Sequence, residues 1–222
     1  MKSKSLKIPL PDITVSAILD EPKGAFALLT LAHGAGAGMA HSGMQFLADA
    51  LNARGIATLR YQLPFMERGS RRPDSPKVAV AAIAGVVQFV ATKFPKLPLF
   101  AGGKSFGGRM TTTAASQGQL AGICGILCFG FPLHPPKKPG LERAEHLEKV
   151  IRPMLWIQGT RDDLAELKLV RKVVKQHPLI QLHILDAADH SFQVLKSSDR
   201  TPGEIAAEIG AVSEIFCREQ IQ

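Results

Sequence analysis

The chain has 222 residues, of which 45% are hydrophobic and 21% are charged. This composition is ordinary for a globular protein and excludes an intrinsically disordered chain. The length favours one domain over two, so we expect residues 1–222 to form a single domain. The formal net charge of +8 is compatible with an acidic partner but does not require one.

The three cysteines are too few, and odd in number, for a disulfide scaffold. We expect buried reduced thiols, and no metal site, because no histidine or cysteine follows at zinc spacing. The N-terminus is basic and lacks an apolar stretch of signal-peptide length. The longest apolar run, 120–133, is too short to span a bilayer. These features predict a cytoplasmic protein that has no membrane partner.

The hydrophobic pattern alternates between strand-like and helix-like segments. The predicted strands are 13–19, 25–32, 56–60, 97–102, 123–129, 154–158 and 180–185. The predicted helices are 42–54, 74–93, 105–117, 142–150, 165–176 and 203–220. Short apolar strands separated by such helices indicate a mostly parallel sheet covered on both faces, which is a three-layer α/β fold. Ligands of such sheets bind beyond the carboxyl ends of the strands.

Residues 103–107 read GKSFG and match the G-x-S-x-G nucleophile elbow between a strand and a helix. A serine on so sharp a turn needs small neighbours two residues away, and the helix that follows directs its positive end at the site. The alternatives are a glycine-rich packing turn with an incidental serine, or a phosphate-binding loop. The phosphate loop requires glycine five positions before Gly103, where the chain has Pro98.

A nucleophilic serine needs a base, and the base needs an orienting acid. After Ser105, the expected chain order is an acid and then histidine. Asp162 and His190 follow predicted strands in that order. Asp163 is the rival acid, and its alternative role is to cap the next helix. Asp189 is the remaining carboxylate, and we expect backbone amides to satisfy it.

The second predicted strand ends in HGAGAG, a loop placed where an oxyanion hole needs a backbone amide. We assign the two donors to Ala35 and Phe106, with Gly36 as the rival for the first. A dinucleotide-binding loop is the alternative. The HGAGAG segment lacks the third glycine of the dinucleotide-binding motif G-x-G-x-x-G, where the chain has Met39. No acidic residue ends the next strand either. We therefore predict no cofactor.

Six residues near this edge are candidates for substrate binding. The alternative for the two histidines is to brace the glycine-rich loop, and a metal pair would need a third ligand that is not evident. The alternative for the arginine is a structural ion pair. The six candidates are His33, Gly34, Gly36, His41, Arg60 and Lys104.

The order of HGAGAG, GGKSFGGRM, GFPLHPP, QGTRD and DHSF resembles the α/β-hydrolase superfamily across nearly the whole chain. Within it, the sequence is similar to the small, lidless dienelactone-hydrolase-like group, and to the hydrolase-like domain shared by a testis-expressed protein and a subunit of the nonspecific-lethal chromatin complex. The resemblance implies a seven- or eight-stranded sheet with a minimal cap. It also implies Ser105 as nucleophile, Asp162 as acid and His190 as base.

The sequence thus predicts a serine hydrolase, carboxylesterase- or thioesterase-like, with a small acyl substrate. A catalytically idle interaction module is the alternative from another class, although an intact set of three catalytic residue types argues against it. Nucleic acid is an unlikely partner, because basic residues are interleaved with acidic ones and there are only one Trp and one Tyr. The oligomeric state is left open.

Overall fold

A computed structural model describes residues 2–221 of the chain. The strands are β1 (Lys2–Pro9), β2 (Thr14–Glu21), β3 (Ala27–Ala32), β4 (Ile56–Tyr61), β5 (Leu99–Lys104), β6 (Gly125–Phe129), β7 (Met154–Arg161) and β8 (Ile180–Asp189). The helices are α1 (Ser42–Asn52), α2 (Pro64–Glu67), α3 (Pro76–Lys93), α4 (Phe106–Ser116), the 3₁₀ helix η1 (Glu142–Lys149), α5 (Leu167–Gln176) and α6 (Pro202–Glu219).

Within residues 2–221, eight strands form one sheet in the order β1-β2-β4-β3-β5-β6-β7-β8. Strands β3 to β8 pair in parallel, whereas β2 pairs antiparallel with both of its neighbours, β1 and β4, and therefore runs opposite to them. One face packs against α3, α4, α5 and η1, and the other packs against α1 and α6. The expected three-layer, mostly parallel α/β fold is therefore confirmed.

The start of the sheet differs from expectation, because strand β1 was not predicted. Among residues 3–9 the Lys and Ser side chains are exposed and only Ile8 is buried. Charged side chains on an edge strand discourage pairing with other chains, which explains the weak hydrophobic signal. The strands predicted at 13–19 and 25–32 exist as β2 and β3, but β4 lies between them in the sheet.

Helix α3 is long and apolar enough, with mean hydropathy 1.3, to match a membrane-spanning segment by length and composition. Seven of its side chains are buried in the fold: Ala79, Val80, Ala82, Ile83, Val86, Val87 and Val90. All of them except Ala82 belong to the hydrophobic cluster on one face of the sheet. Its apolar character is therefore accounted for by core packing.

The cysteines behave as small apolar side chains. Cys128 and Cys217 are buried, Cys124 is half-buried, and all three are free thiols. Burial raises the pKa of the Cys128 and Cys217 thiols, so both are protonated at neutral pH. The expectation of reduced thiols agrees with this arrangement.

Candidate active site

Ser105 occupies the tight turn between β5 and α4. Its backbone has φ 52° and ψ −116°, a combination that residues other than glycine rarely adopt. The amide of Ser105 donates to the carbonyl of Phe129 at 3.0 Å, and its carbonyl accepts from Arg109 N at 3.0 Å. These bonds hold the strained turn and project the hydroxyl beyond the carboxyl edge of the sheet.

The glycines on either side of Ser105 are required by backbone contact. A Cβ atom at Gly103 would lie 2.7 Å from the carbonyl oxygen of Ala32 and 2.6 Å from Gly107 C. A Cβ atom at Gly107 would collide with the same Ala32 carbonyl oxygen. The start of α4 thus packs directly on the end of β3, as the G-x-S-x-G pattern predicts.

Ser105, His190 and Asp162 form a continuous chain of hydrogen bonds. His190 Nε2 lies 2.9 Å from Ser105 Oγ, and His190 Nδ1 lies 2.8 Å from Asp162 Oδ2. The Asp162 side chain is 0% exposed, whereas that of His190 is 23% exposed. The carboxylate is therefore shielded from water, whereas the imidazole is partly exposed to solvent at the carboxyl edge of the sheet.

A glutamine that sequence reasoning missed holds the carboxylate of Asp162. Gln158 Nε2 donates to Asp162 Oδ2 at 2.6 Å, and Gln158 Oε1 accepts from Phe131 N at 3.0 Å. Asp162 Oδ1 accepts from the amide of Leu164 at 2.8 Å. The available signal was a glutamine inside an otherwise apolar strand, since a buried amide must find partners.

The rival carboxylates have other surroundings. Asp163 is exposed, and its expected role as a helix cap was wrong, because α5 begins at Leu167 with Glu166 as the N-cap residue. Asp189 Oδ1 accepts from the amides of Ser191 at 2.7 Å and Gln193 at 2.9 Å. Asp189 is therefore the expected loop carboxylate.

The loop after β3 passes beside the serine. A Cβ atom at Gly34 would lie 3.6 Å from Ser105 Cβ, so the backbone of this loop is close to the serine side chain. Neither Ala35 nor Phe106 donates its amide in a hydrogen bond within residues 2–221. Phe106 is also the first residue of α4, where amides have no partner inside the helix. Both amides are therefore without a partner in this part of the chain, and their role as oxyanion donors stays a prediction.

A cavity of about 300 Å³ opens beside Ser105 and His190. Its wall combines polar groups from the loop after β3 with apolar side chains from α1 and from the loops after β7 and β8. The lining residues that matter for its chemistry are Gly34, Ala35, His41, Met44, Leu47, Lys104, Leu164 and Phe192. Gly36, with φ +73°, belongs to the same loop but does not line the cavity.

His33 does not contact the cavity, contrary to its assignment as a substrate-binding residue. Its ring is fully buried, with Nδ1 2.8 Å from the Gly34 carbonyl oxygen and Nε2 2.9 Å from the amide of Leu63. Burial lowers the pKa of His33 to about 4, so the ring is neutral at pH 7. The neutral ring donates through Nδ1 and accepts at Nε2, and it braces the loop that carries Ala35.

Arg60 is also misassigned as a substrate-binding residue. Its side chain is 2% exposed, and it donates to Asp20 Oδ2 at 2.6 Å and to the Met39 carbonyl oxygen at 3.2 Å. The Asp20 carboxylate compensates the buried guanidinium charge, which would otherwise be unpaired. Because Asp20 lies in β2 and Arg60 in β4, the ion pair also links these two strands. The structural alternative for Arg60 is the right one.

His41 and Lys104 both line the cavity but already have protein partners. His41 Nδ1 accepts from Gly43 N at 3.1 Å and caps α1. Lys104 Nζ donates to the His190 carbonyl oxygen at 2.5 Å. A role in substrate binding stays a prediction for His41, Lys104, Gly34 and Gly36.

The comparisons with known proteins agree with this architecture. A family model described as an alpha/beta hydrolase domain matches residues 25–217. Among solved structures, a dienelactone hydrolase from Anabaena variabilis superposes with TM-score 0.79 at 20% identity, over 98% of this chain and 97% of that chain. Est1E from Butyrivibrio proteoclasticus superposes with TM-score 0.72 at 18% identity, over 98% of each chain.

An α/β serine hydrolase without a lid, from Xanthomonas campestris, superposes with TM-score 0.75 at 18% identity, over 97% of this chain and 95% of that chain. Identities this low establish a shared fold only. The family match covers most of the sequence, including all three residues of the hydrogen-bonded chain. The chain therefore belongs to the alpha/beta hydrolase domain family.

Proposed function

We propose that this chain is a serine hydrolase that cleaves a small acyl ester or thioester. The observation that carries the proposal is the relay from Ser105 Oγ through the His190 ring to the buried carboxylate of Asp162. This relay begins on a strained strand-to-helix turn beside two unpaired amides, within residues 2–221. That combination is the arrangement needed for nucleophilic acyl transfer.

In the first half of the reaction, His190 Nε2 takes the proton from Ser105 Oγ as the oxygen attacks the substrate carbonyl carbon. Asp162 keeps the Nδ1 proton in place and stabilises the imidazolium that forms. The carbonyl oxygen becomes an oxyanion, which the amides of Ala35 and Phe106 bind. His190 then returns the proton to the leaving alcohol or thiol, and Ser105 retains the acyl group.

In the second half, water attacks the acyl-enzyme carbonyl while His190 accepts a proton from it. The oxyanion forms again and collapses, which breaks the bond to Ser105 Oγ and releases the carboxylic acid. His190 gives its proton back to the serine oxygen. No cofactor enters either step, since base, acid and oxyanion donors all come from the chain.

The dimensions of the site support a small acyl group. The cavity of about 300 Å³ accommodates a short chain or a single ring. The connection from β6 to β7 contains only η1, eight residues long, among the described residues. This leaves no length for a large lid, which argues against a lipase that acts at an interface. The narrower resemblance to the testis-expressed and chromatin-complex proteins stays a prediction, and the mechanism does not depend on it.

The test is covalent labelling by a fluorophosphonate probe, read by intact mass and peptide mapping. We expect labelling at Ser105 in the wild type and none in Ser105→Ala. His190→Ala should also abolish labelling, because an unactivated serine does not react. Ser197→Ala, an exposed serine in the loop after β8, is the matched control and should label normally.

A folded wild-type protein that takes up no probe would contradict the proposal and would favour the interaction module. Labelling that persists in His190→Ala would also contradict it, because the serine would then react without its base. Once labelling is established, a panel of p-nitrophenyl esters of increasing chain length measures the acyl preference. We expect kcat/KM to be highest for the short acyl chains.

A further inference from the structure

Lys104 joins the strand of the nucleophile to the loop of the base. It directly precedes Ser105 in sequence, and its Nζ donates to the main-chain carbonyl oxygen of His190 at 2.5 Å, across 86 positions. The ammonium also lies 5.1 Å from the centre of the Phe192 ring, within range of a cation–π interaction. No carboxylate lies within 4 Å of Nζ in the part of the chain that the structure describes.

The fold leaves space for this ammonium beside the imidazole. A Cβ atom at Gly130, just after β6, would lie 2.9 Å from Lys104 Nζ and 3.5 Å from His190 Cε1. Gly130 has φ +64°, and its amide donates to Ile157, so its backbone closes the other side of the pocket. Lys104, His190 and Gly130 thus pack as one unit at the carboxyl edge of the sheet.

The charge on Lys104 is held at a cost. Burial lowers the pKa of its ammonium to about 8, while the carboxylates of Asp162 and Asp189 act in the opposite direction. The charged groups facing it are these two carboxylates, from the ends of β7 and β8, together with the His190 ring. A buried ion that forms no close pair lowers stability unless other contacts compensate. A lysine used only for packing would be replaced at no loss by an apolar side chain.

We propose that Lys104 is a positioning residue, whose ammonium holds the His190 main chain and thereby fixes the imidazole against Ser105. The inference rests on the proposed serine hydrolase function. The bond anchors the backbone of the base to the residue adjacent to the nucleophile, so it controls the distance between the two reacting groups. Displacements of about 1 Å at a reacting centre cost on the order of 10²-fold in rate.

This role differs from substrate binding in what it changes. A residue that binds substrate affects the apparent affinity, whereas a residue that positions the base affects the chemical step. We therefore expect Lys104→Met, which keeps the length of the side chain and removes its charge and donor, to lower kinact for a fluorophosphonate probe by about 10–100-fold. The apparent KI should change by less than about twofold. Lys196→Met, in an exposed part of the loop after β8, is the matched control and should leave both constants unchanged.

A second variant and a pH profile cover the case in which Lys104→Met does not fold. Phe192→Leu removes the ring below the ammonium and keeps an apolar side chain, so it should lower kinact by at least about threefold, because a desolvated cation–π contact is stronger than an exposed one. In the wild type, kinact should fall as the pH rises through about 8, because a neutral amine forms a weaker hydrogen bond than an ammonium. A folded Lys104→Met variant should lack this descending limb.

The outcomes separate the two proposals. If the wild type does not label, the serine hydrolase proposal fails, and the role of Lys104 fails with it. If the wild type labels and folded Lys104→Met has an unchanged kinact, only the positioning role is overturned. A change confined to KI would also overturn it, since that result assigns Lys104 to substrate binding. If only Phe192→Leu folds, an unchanged kinact together with a flat wild-type profile above pH 8 overturns it as well.

Discussion

Gln158 and Asp162 are linked by a 2.6 Å hydrogen bond between the side-chain amide and carboxylate Oδ2, the oxygen that also faces His190 Nδ1. Gln158 lies inside β7 and Asp162 follows the strand, so the bond turns the carboxylate back toward the end of its own strand. The other end of the Gln158 amide accepts from Phe131 N, in the loop just after β6. The orientation of the Asp162 carboxylate therefore depends on β7 and on the loop that follows the neighbouring strand.

Replacement of Gln158 by Leu should lower both activity and stability. Asp162 Oδ2 would lose a buried donor and the amide of Phe131 would lose its acceptor, and each unsatisfied buried group costs about 1–3 kcal/mol. We expect kcat for p-nitrophenyl acetate to fall by roughly tenfold, which is about 1.4 kcal/mol in transition-state stabilisation. Urea unfolding and steady-state kinetics measure the two effects. Gln181→Leu, on the exposed edge of β8, is the control, and an equal loss in that variant would contradict the prediction.

The two adjacent aspartates should differ sharply in their effect on activity. Asp162→Asn removes the charge that stabilises the imidazolium and favours the wrong ring tautomer, so kcat should fall by about 10³–10⁴-fold. Asp163→Asn should change kcat by less than twofold, because that side chain is exposed. Ester hydrolysis by the two variants under identical conditions is the measurement. The reverse ranking would overturn the assignment of the acid.

Gly107→Ala should prevent correct assembly of the elbow. The added methyl group would overlap the backbone of Ala32 and His33, which cannot move without displacing β3. We expect a loss of more than about 3 kcal/mol in the free energy of unfolding, which is large for one methyl group. Gly203→Ala, at the start of α6, is the control, since its nearest neighbour would be 3.9 Å away. Thermal unfolding of both variants compares the two sites, and similar melting temperatures would contradict this explanation of the glycine.

The ion pair between Arg60 and Asp20 should affect stability and leave binding unchanged. Removing one partner strands a buried charge, so Arg60→Met and Asp20→Asn should each cost about 3–5 kcal/mol. The double variant Asp20→Asn/Arg60→Met should recover part of that loss, because neither charge remains. Chemical unfolding supplies the double-mutant cycle. In folded samples KM for p-nitrophenyl esters should be unchanged, and a selective rise in KM for Arg60→Met would restore Arg60 to the substrate site.

Acid should destabilise the protein through the buried His33 and the half-buried His146. Burial lowers the pKa of His33 and His146 to about 4, below their unfolded value of 6.5. Between these two pH values the unfolded chain binds more protons than the folded one, so the free energy of unfolding falls as the pH drops. The slope is up to about 1.4 kcal/mol per pH unit for His33. It is smaller for His146, because solvent screens a half-buried side chain.

The measurement is urea unfolding of the wild type and of His146→Gln between pH 7 and 4. We expect a shallower slope in the variant, since Gln does not titrate. His146 Nε2 lies 2.8 Å from Thr112 Oγ1, and Gln keeps a side chain that can bond to that hydroxyl. An identical slope in the two proteins would show that His146 does not contribute to the acid sensitivity.

Much of the candidate site could be predicted because its parts are local in sequence. The elbow is a five-residue motif with a steric rationale, and the acid and base each follow an apolar strand. Parallel strands place their carboxyl ends at one edge, so Ser105, Asp162 and His190 were expected to meet there. The fold class followed from the same alternation of short apolar strands and longer helices.

The misassignments share one physical cause, which is that the partner of a polar side chain lies far away in sequence. Arg60 and Asp20 are 40 positions apart, and His33 and Leu63 are 30 apart. Neither pairing leaves a periodic or spaced pattern that a reading of the chain can detect. Strand β1 was not predicted for a related reason. It is an edge strand with exposed lysines, so its formation depends on backbone pairing with β2 and not on a hydrophobic pattern.

The sequence by itself determined the α/β class, the serine on its tight turn, and the placement of Asp162 and His190 after later strands, because these follow from local sterics and hydrophobic periodicity. Only the tertiary structure decided which polar groups are bonded to one another. In the folded chain, Arg60 is bonded to Asp20 and His33 to the loop backbone. Gln158 is bonded to Asp162, and Lys104 to the His190 carbonyl. A buried polar group must be paired with whatever the fold brings beside it, and the chain order does not specify that neighbour.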